Sequence, residues 1–70
     1  MGIKIQGDVR LNKEELFNYY FNLQSEEFKE EIEGYKDFRM DNVVCSIKVN
    51  FKNGSWIRVY EKLNGAVEWY

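Results

Sequence analysis

The stretch VVCSIKVNFKNGSWIRVYEKLNGAVEWY, residues 43–70, decides the fold. From Val43 to Phe51 the apolar residues fall at 43, 45, 47, 49 and 51, the two-residue period of a half-buried strand. Alternation resumes from Trp56 to Leu63 and again from Ala66 to Tyr70. The breaks, Lys52-Asn53-Gly54 and Leu63-Asn64-Gly65, each carry an Asn-Gly pair, so the segment reads as a three-stranded antiparallel meander.

Loop length follows from the pattern. A two-residue Asn53-Gly54 loop would set Val49 opposite Arg58 and mix the two faces. A three-residue loop, Lys52-Asn53-Gly54 with Gly54 left-handed, sets Val49 opposite Ile57, Ile47 opposite Val59 and Val43 opposite Leu63. All the aliphatic side chains then share one face, as a one-sided core requires. The same length at Leu63-Asn64-Gly65 sets Val59 opposite Trp69 and Glu61 opposite Val67. A two-residue turn there would instead bury Tyr70 and expose Trp69.

Working back toward the N-terminus, residues 35–42 read as a loop anchored by Phe38 and Met40. Before it, Ser25 caps a helix over 26–33 that Gly34 ends in the left-handed conformation. Asn12 and Glu15 form a capping-box spacing that starts a helix over 13–23, with Leu11 stapling onto Leu16. A single kinked helix over 13–33 is the alternative. Leu16, Tyr20 and Leu23 line one helical face, flanked by Tyr19 on one side and by Phe17 and Phe21 on the other. That arc is wider than a helix on a sheet needs. Either a second helix covers the Phe17/Phe21 edge or a partner does. Ile3-Lys4-Ile5-Gln6 alternates as a short first strand.

The expected architecture is therefore a small α+β domain spanning residues 1–70, in the order β-α-α-β-β-β, with an antiparallel sheet covered on one face by two helices. Its expected core is Ile5, Leu16, Tyr20, Leu23, Phe28, Ile32, Ile47, Val49, Ile57, Val59 and Trp69.

Composition removes most chemistry. The 70 residues include no histidine, no proline and one cysteine. Without histidine there is no ready general base for Ser25, Ser46 or Ser55 and no zinc site of the Cys/His type. No glycine-rich phosphate loop is present, and a chain of this length leaves little room for a substrate pocket. The expectation is a non-enzyme with no catalytic residues, no cofactor and no metal. Cys45 alone cannot build a disulfide framework and is expected to be a buried small hydrophobe. No apolar run reaches 18 residues and no secretory pattern is evident, so the expected setting is intracellular and cytoplasmic, without a membrane.

Charge is uneven. Residues 1–42 hold six basic and ten acidic side chains, and residues 43–70 hold four basic and two acidic. On the outer face of the meander, Trp56, Arg58, Tyr60 and Lys62 stand beside Val44, Ser46, Lys48 and Asn50 on one neighbour and Glu68 and Tyr70 on the other. Such a face can simply be cross-strand packing, or the loop 35–42 can fold across part of it. It also has the Trp, Tyr and Arg composition of interface hot spots. The expected site is thus a partner-binding face of Trp56, Arg58, Tyr60, Lys62, Lys48 and Tyr70, together with an acidic helix carrying Glu27, Glu30 and Glu31. A protein partner is the first expectation, and the net acidic chain with its acidic helix suits one that is itself basic. Single-stranded nucleic acid, stacked on the rings and neutralised by the cations, is the alternative, and a pI near 5.1 counts against it. The exposed face could equally make a homodimer, so monomer and dimer both remain open. No motif-level resemblance to a known family is present. The richness in Asn, Lys, Glu, Tyr, Phe and Ile is that of small proteins from AT-rich bacterial or phage genomes, which often act as inhibitors or adaptors.

Overall fold

A computed structural model describes residues 10–70. The expected strand at Ile3–Gln6, and Ile5 as a core residue, lie outside the described residues. Two helices, α1 (Lys13–Asn22) and α2 (Glu26–Lys29), precede four strands, β1 (Ile32–Asp37), β2 (Val43–Phe51), β3 (Trp56–Lys62) and β4 (Val67–Trp69). The strands form one antiparallel sheet in the order β1-β2-β3-β4, with α1 lying over β2 and β3. This is the α+β arrangement of helices on one face of an antiparallel sheet.

Local chemistry starts both helices. The Glu15 N–H donates to Asn12 Oδ1 at 2.8 Å and the Asn12 N–H donates to Glu15 Oε1 at 2.9 Å, closing the capping box. Ser25 caps α2 by accepting from the Phe28 N–H at 3.1 Å. Both hairpin loops have three residues, and Gly54 and Gly65 each sit at φ 92°. That is a conformation glycine reaches without a Cβ penalty. In each loop the Asn side chain accepts from the backbone two residues on, Asn53 from Ser55 at 2.9 Å and Asn64 from Ala66 at 3.0 Å. The expected registers hold along most of the sheet, with Val49 opposite Ile57, Ile47 opposite Val59, Val59 opposite Trp69 and Glu61 opposite Val67.

Three expectations are corrected. First, α2 stops at Lys29, and residues 32–37, expected to be helix end and loop, form strand β1. Gly34 is not a left-handed helix stop. It follows a bulge, because Ile32 pairs with Phe51 while Gly34 pairs with Asn50, leaving Glu33 extra. The bulge shifts the alternation by one, so Ile32 and Tyr35 both face the helices. Second, a matching bulge at Val44 in β2 pairs Val43 with Lys62 instead of Leu63. Third, the Phe17/Phe21 edge of α1 is shared between strand β1, which covers Phe17, and the last residue of α2, which covers Phe21. Tyr35 of β1 stacks on Phe17 at 4.7 Å between centroids, and Lys29 lies 5.3 Å from the Phe21 ring.

The core consists of Leu16, Tyr20, Ile32, Ile47, Val49, Phe51 and Val59. Ile57 is half-buried against it. Leu23, expected inside, is 54% exposed, because it is the C-cap of α1 and no helical turn follows to hold it over the sheet. Phe28, also expected inside, is 38% exposed and meets the core through Phe51, 5.6 Å away. Trp69 is 39% exposed on β4, at the margin of the sheet, where the ring of Tyr20 meets it edge-on at 5.0 Å. Cys45 is half-buried at the margin of the core. Glu61 is buried on the helix-facing side and accepts a hydrogen bond from the Leu11 N–H at 2.9 Å.

Candidate functional site

The sheet has a face that neither helix covers. In β3, alternation turns Trp56, Arg58, Tyr60 and Lys62 away from the helices. Register then sets their neighbours: Asn50 opposite Trp56, Lys48 opposite Arg58, Ser46 opposite Tyr60 and Glu68 opposite Tyr60 on the other side. Arg58 and Tyr70 exchange backbone hydrogen bonds of 2.9 and 3.1 Å, which places Tyr70 beside Arg58.

Arg58 is the centre of this face. Its guanidinium carbon lies 4.5 Å from the Tyr70 centroid, 4.9 Å from Trp56 and 5.5 Å from Phe38. Lys48 Nζ lies 4.7 Å from the Trp56 centroid. All four distances fall inside the range of cation–π attraction, roughly 6 Å. The rings also meet one another, Phe38 with Trp56 at 5.6 Å and Tyr60 with Tyr70 edge-on at 6.1 Å. Part of this cluster stays open to solvent, with Trp56 40% and Tyr70 64% exposed.

Phe38 reaches the face because the chain after β1 folds back over it. The Ser46 hydroxyl donates to the Phe38 carbonyl, and Ser46 is buried although it belongs to the outer face. At the far end the Tyr60 hydroxyl donates to Glu68 Oε1 at 3.1 Å, and Lys62 pairs with Glu68 Oε2 at 3.5 Å. Loss of hydration, followed by the hydrogen bond to Glu68, pushes the Tyr60 phenol above its usual pKa.

The structure thus brings Trp56, Arg58, Tyr60, Lys62, Lys48 and Tyr70 together on one surface. Glu27, Glu30 and Glu31 are elsewhere. They are exposed in α2 and the turn after it, on the helix side, where Phe28 meets Phe51 and Lys29 meets Phe21. Two residues of the face were not legible in advance. Lys36 stands opposite Lys48, and Phe38 lies against Arg58 and Trp56. Both fall in the segment read as a loop. Tyr35-Lys36-Asp37-Phe38 runs apolar-polar-polar-apolar, so no two-residue period marks it as a strand, and glutamates precede it.

An open depression of about 580 Å³ lies at the start of β2, bordered by Lys13, Asp37, Cys45 and Ser46 among others. Burial raises the Cys45 thiol pKa, and the nearby Lys13 offsets only part of that rise. The neutral thiol is a poor nucleophile. Among the described residues, no group of three His, Cys, Asp or Glu side chains could hold a metal ion, and no helix is long and apolar enough to cross a membrane. No protein-family model, curated protein or solved structure matches the chain.

Proposed function

We propose that this chain is a non-enzymatic protein-binding module that occupies a partner's surface through its uncovered sheet face, acting as an inhibitor or adaptor of the kind small phage or mobile-element proteins provide in the cytoplasm. The observation that carries this reading is Arg58 held among Trp56, Tyr70 and Phe38, with Trp56 and Tyr70 still open to solvent. Arg, Trp and Tyr are the residues on which interface energy concentrates. A face whose side chains already brace one another loses little conformational freedom when a partner docks. Lys48, Tyr60 and Lys62 complete the rim of that face.

Glu27, Glu30 and Glu31 enter the proposal as a separate acidic patch on the helix side. A second reading, single-stranded nucleic acid on the same face, is favoured by one observation: Lys36 joins Lys48 and Arg58 there.

The test is capture of a partner by Trp56→Ala and Tyr60→Ala variants whose fold is verified by circular dichroism. Loss of capture supports the sheet-face site, and undiminished capture removes it. Reversing Glu27, Glu30 and Glu31 to Lys examines the acidic patch. If it contributes, the loss of binding is larger at low salt than at high salt.

A further inference from the structure

Pairing across the sheet lines up three cations. Lys36 of β1 stands opposite Lys48 of β2, and Lys48 stands opposite Arg58 of β3. The row continues to Tyr70, which exchanges backbone hydrogen bonds with Arg58. Like charges placed directly opposite in neighbouring strands destabilise a sheet. Three in succession are a local conflict that the rings beside Lys48 and Arg58 offset only in part and that no carboxylate of a described ion pair neutralises. The ion pairs among the described residues are Lys13–Asp37, Lys29–Glu26 and Lys62–Glu68, and none of them neutralises a member of the row.

We infer that the partner of this face is an acidic, extended protein segment whose carboxylates lie along the Lys36–Lys48–Arg58 row. This deepens the protein-binding reading above and rests on it. The geometry suits carboxylates. A guanidinium stacked among rings keeps its in-plane N–H fork free for a bidentate carboxylate. The Arg58 side chain donates no hydrogen bond to any described residue, so that fork is unspent. Neighbouring strands lie about 4.8 Å apart, so the row spans roughly 10 Å. Alternate residues of an extended chain are about 7 Å apart, and flexible lysine stems span the difference.

Two observations favour a peptide over a nucleic acid. Lys48 and Arg58 already lie over the Trp56 ring and Arg58 over Tyr70, so bases would have to displace cations in order to stack. The chain is also net −2, with exposed glutamates on α1 and α2, which opposes the long-range approach of a polyanion more than that of a short acidic segment.

The experiment selects a displayed library of random short peptides on the immobilised full chain. Selected peptides are then titrated against the parent protein and against Lys36→Glu/Lys48→Glu, Trp56→Ala and Lys52→Glu variants, each verified as folded. The expected result is enrichment of peptides with alternating Asp or Glu. Their binding falls roughly tenfold in Lys36→Glu/Lys48→Glu, falls as salt rises, and stays nearly unchanged in Lys52→Glu, whose cation lies off the row. Neutral or basic peptides that need Trp56 but tolerate Lys36→Glu/Lys48→Glu would overturn the acidic partner and leave the sheet-face site standing. Failure to enrich any peptide, or enriched peptides indifferent to Trp56→Ala and to the double charge reversal alike, would overturn both. A parallel titration with oligothymidylate distinguishes the remaining class. Tighter binding of the oligonucleotide than of acidic peptides, lost in Lys36→Glu/Lys48→Glu, would assign the row to phosphates and overturn the inference.

Discussion

Lys48 and Arg58 face each other across β2 and β3, and both cations lie over the same ring, that of Trp56, at 4.7 and 4.9 Å from its centroid. Mutual repulsion and a shared attraction to the indole therefore act on the same pair.

The repulsion makes Lys48 a position where stability and binding oppose each other. Lys48→Glu puts an anion between Lys36 and Arg58, creating two favourable cross-strand pairs at the expense of one cation–π contact. A net gain of about 0.5 kcal/mol is expected, from terms of roughly 0.2–1 kcal/mol each. Thermal melts should show a small rise in Tm at low ionic strength that shrinks in high salt.

Core position and cap position separate Leu16 from Leu23. Leu16 is fully buried on the sheet-facing side of α1, so Leu16→Ala should cost about 3 kcal/mol. A domain this small has little reserve against such a loss. Leu23→Ala should cost less than about 0.5 kcal/mol, because the side chain is mostly in water already. Urea unfolding midpoints distinguish the two, and comparable losses would mean that Leu23 is covered in solution.

Glycine is needed at the turns and not at the bulge. Gly54 sits at φ 92°, where an alanine Cβ is strained, so Gly54→Ala should destabilise by about 1 kcal/mol. Gly34 lies outside the positive-φ region, and a Cβ added there meets nothing within 4 Å. Gly34→Ala should therefore be neutral or stabilise by about 0.5 kcal/mol, through the entropy of the unfolded chain. The same unfolding measurement reports both.

The raised phenol of Tyr60 sets an alkaline limit. Its pKa is higher in the folded protein than the value of about 10 in the unfolded chain. The associated stability is complete below about pH 10 and disappears as pH rises through the folded value. Burial raises the Tyr20 phenol as well, so ultraviolet titration should show late ionisation from both Tyr20 and Tyr60, and Tyr60→Phe should remove only part of it. Glu68→Gln should bring the Tyr60 ionisation earlier without fully normalising it, since loss of hydration is the larger cause and remains.

The legible parts of this molecule are those written in neighbouring residues. The Asn12/Glu15 capping box, the Ser25 cap and the two three-residue Asn-Gly loops need only a few adjacent side chains. The period-two pattern from 43 to 70 then fixes which residues share a face, so the β2–β3 and β3–β4 registers follow, as does the cluster of Trp56, Arg58, Tyr60 and Tyr70. Strand β1 was hidden because the bulge at Glu33 resets its alternation, and because glutamates flanking it favour a helix until β2 offers its backbone. The placement of Phe38 depends on Ser46 holding the returning chain, and the burial of Glu61 depends on Leu11 arriving above β3. The row Lys36–Lys48–Arg58 is the plainest case. The step from Lys48 to Arg58 follows from the length of the β2–β3 loop, but Lys36, 12 positions before Lys48, joins the row only through the pairing of β1. Turn chemistry and hydrophobic period act between near neighbours and can be read along the chain. Adjacency between strands comes from backbone pairing, which only the assembled sheet specifies.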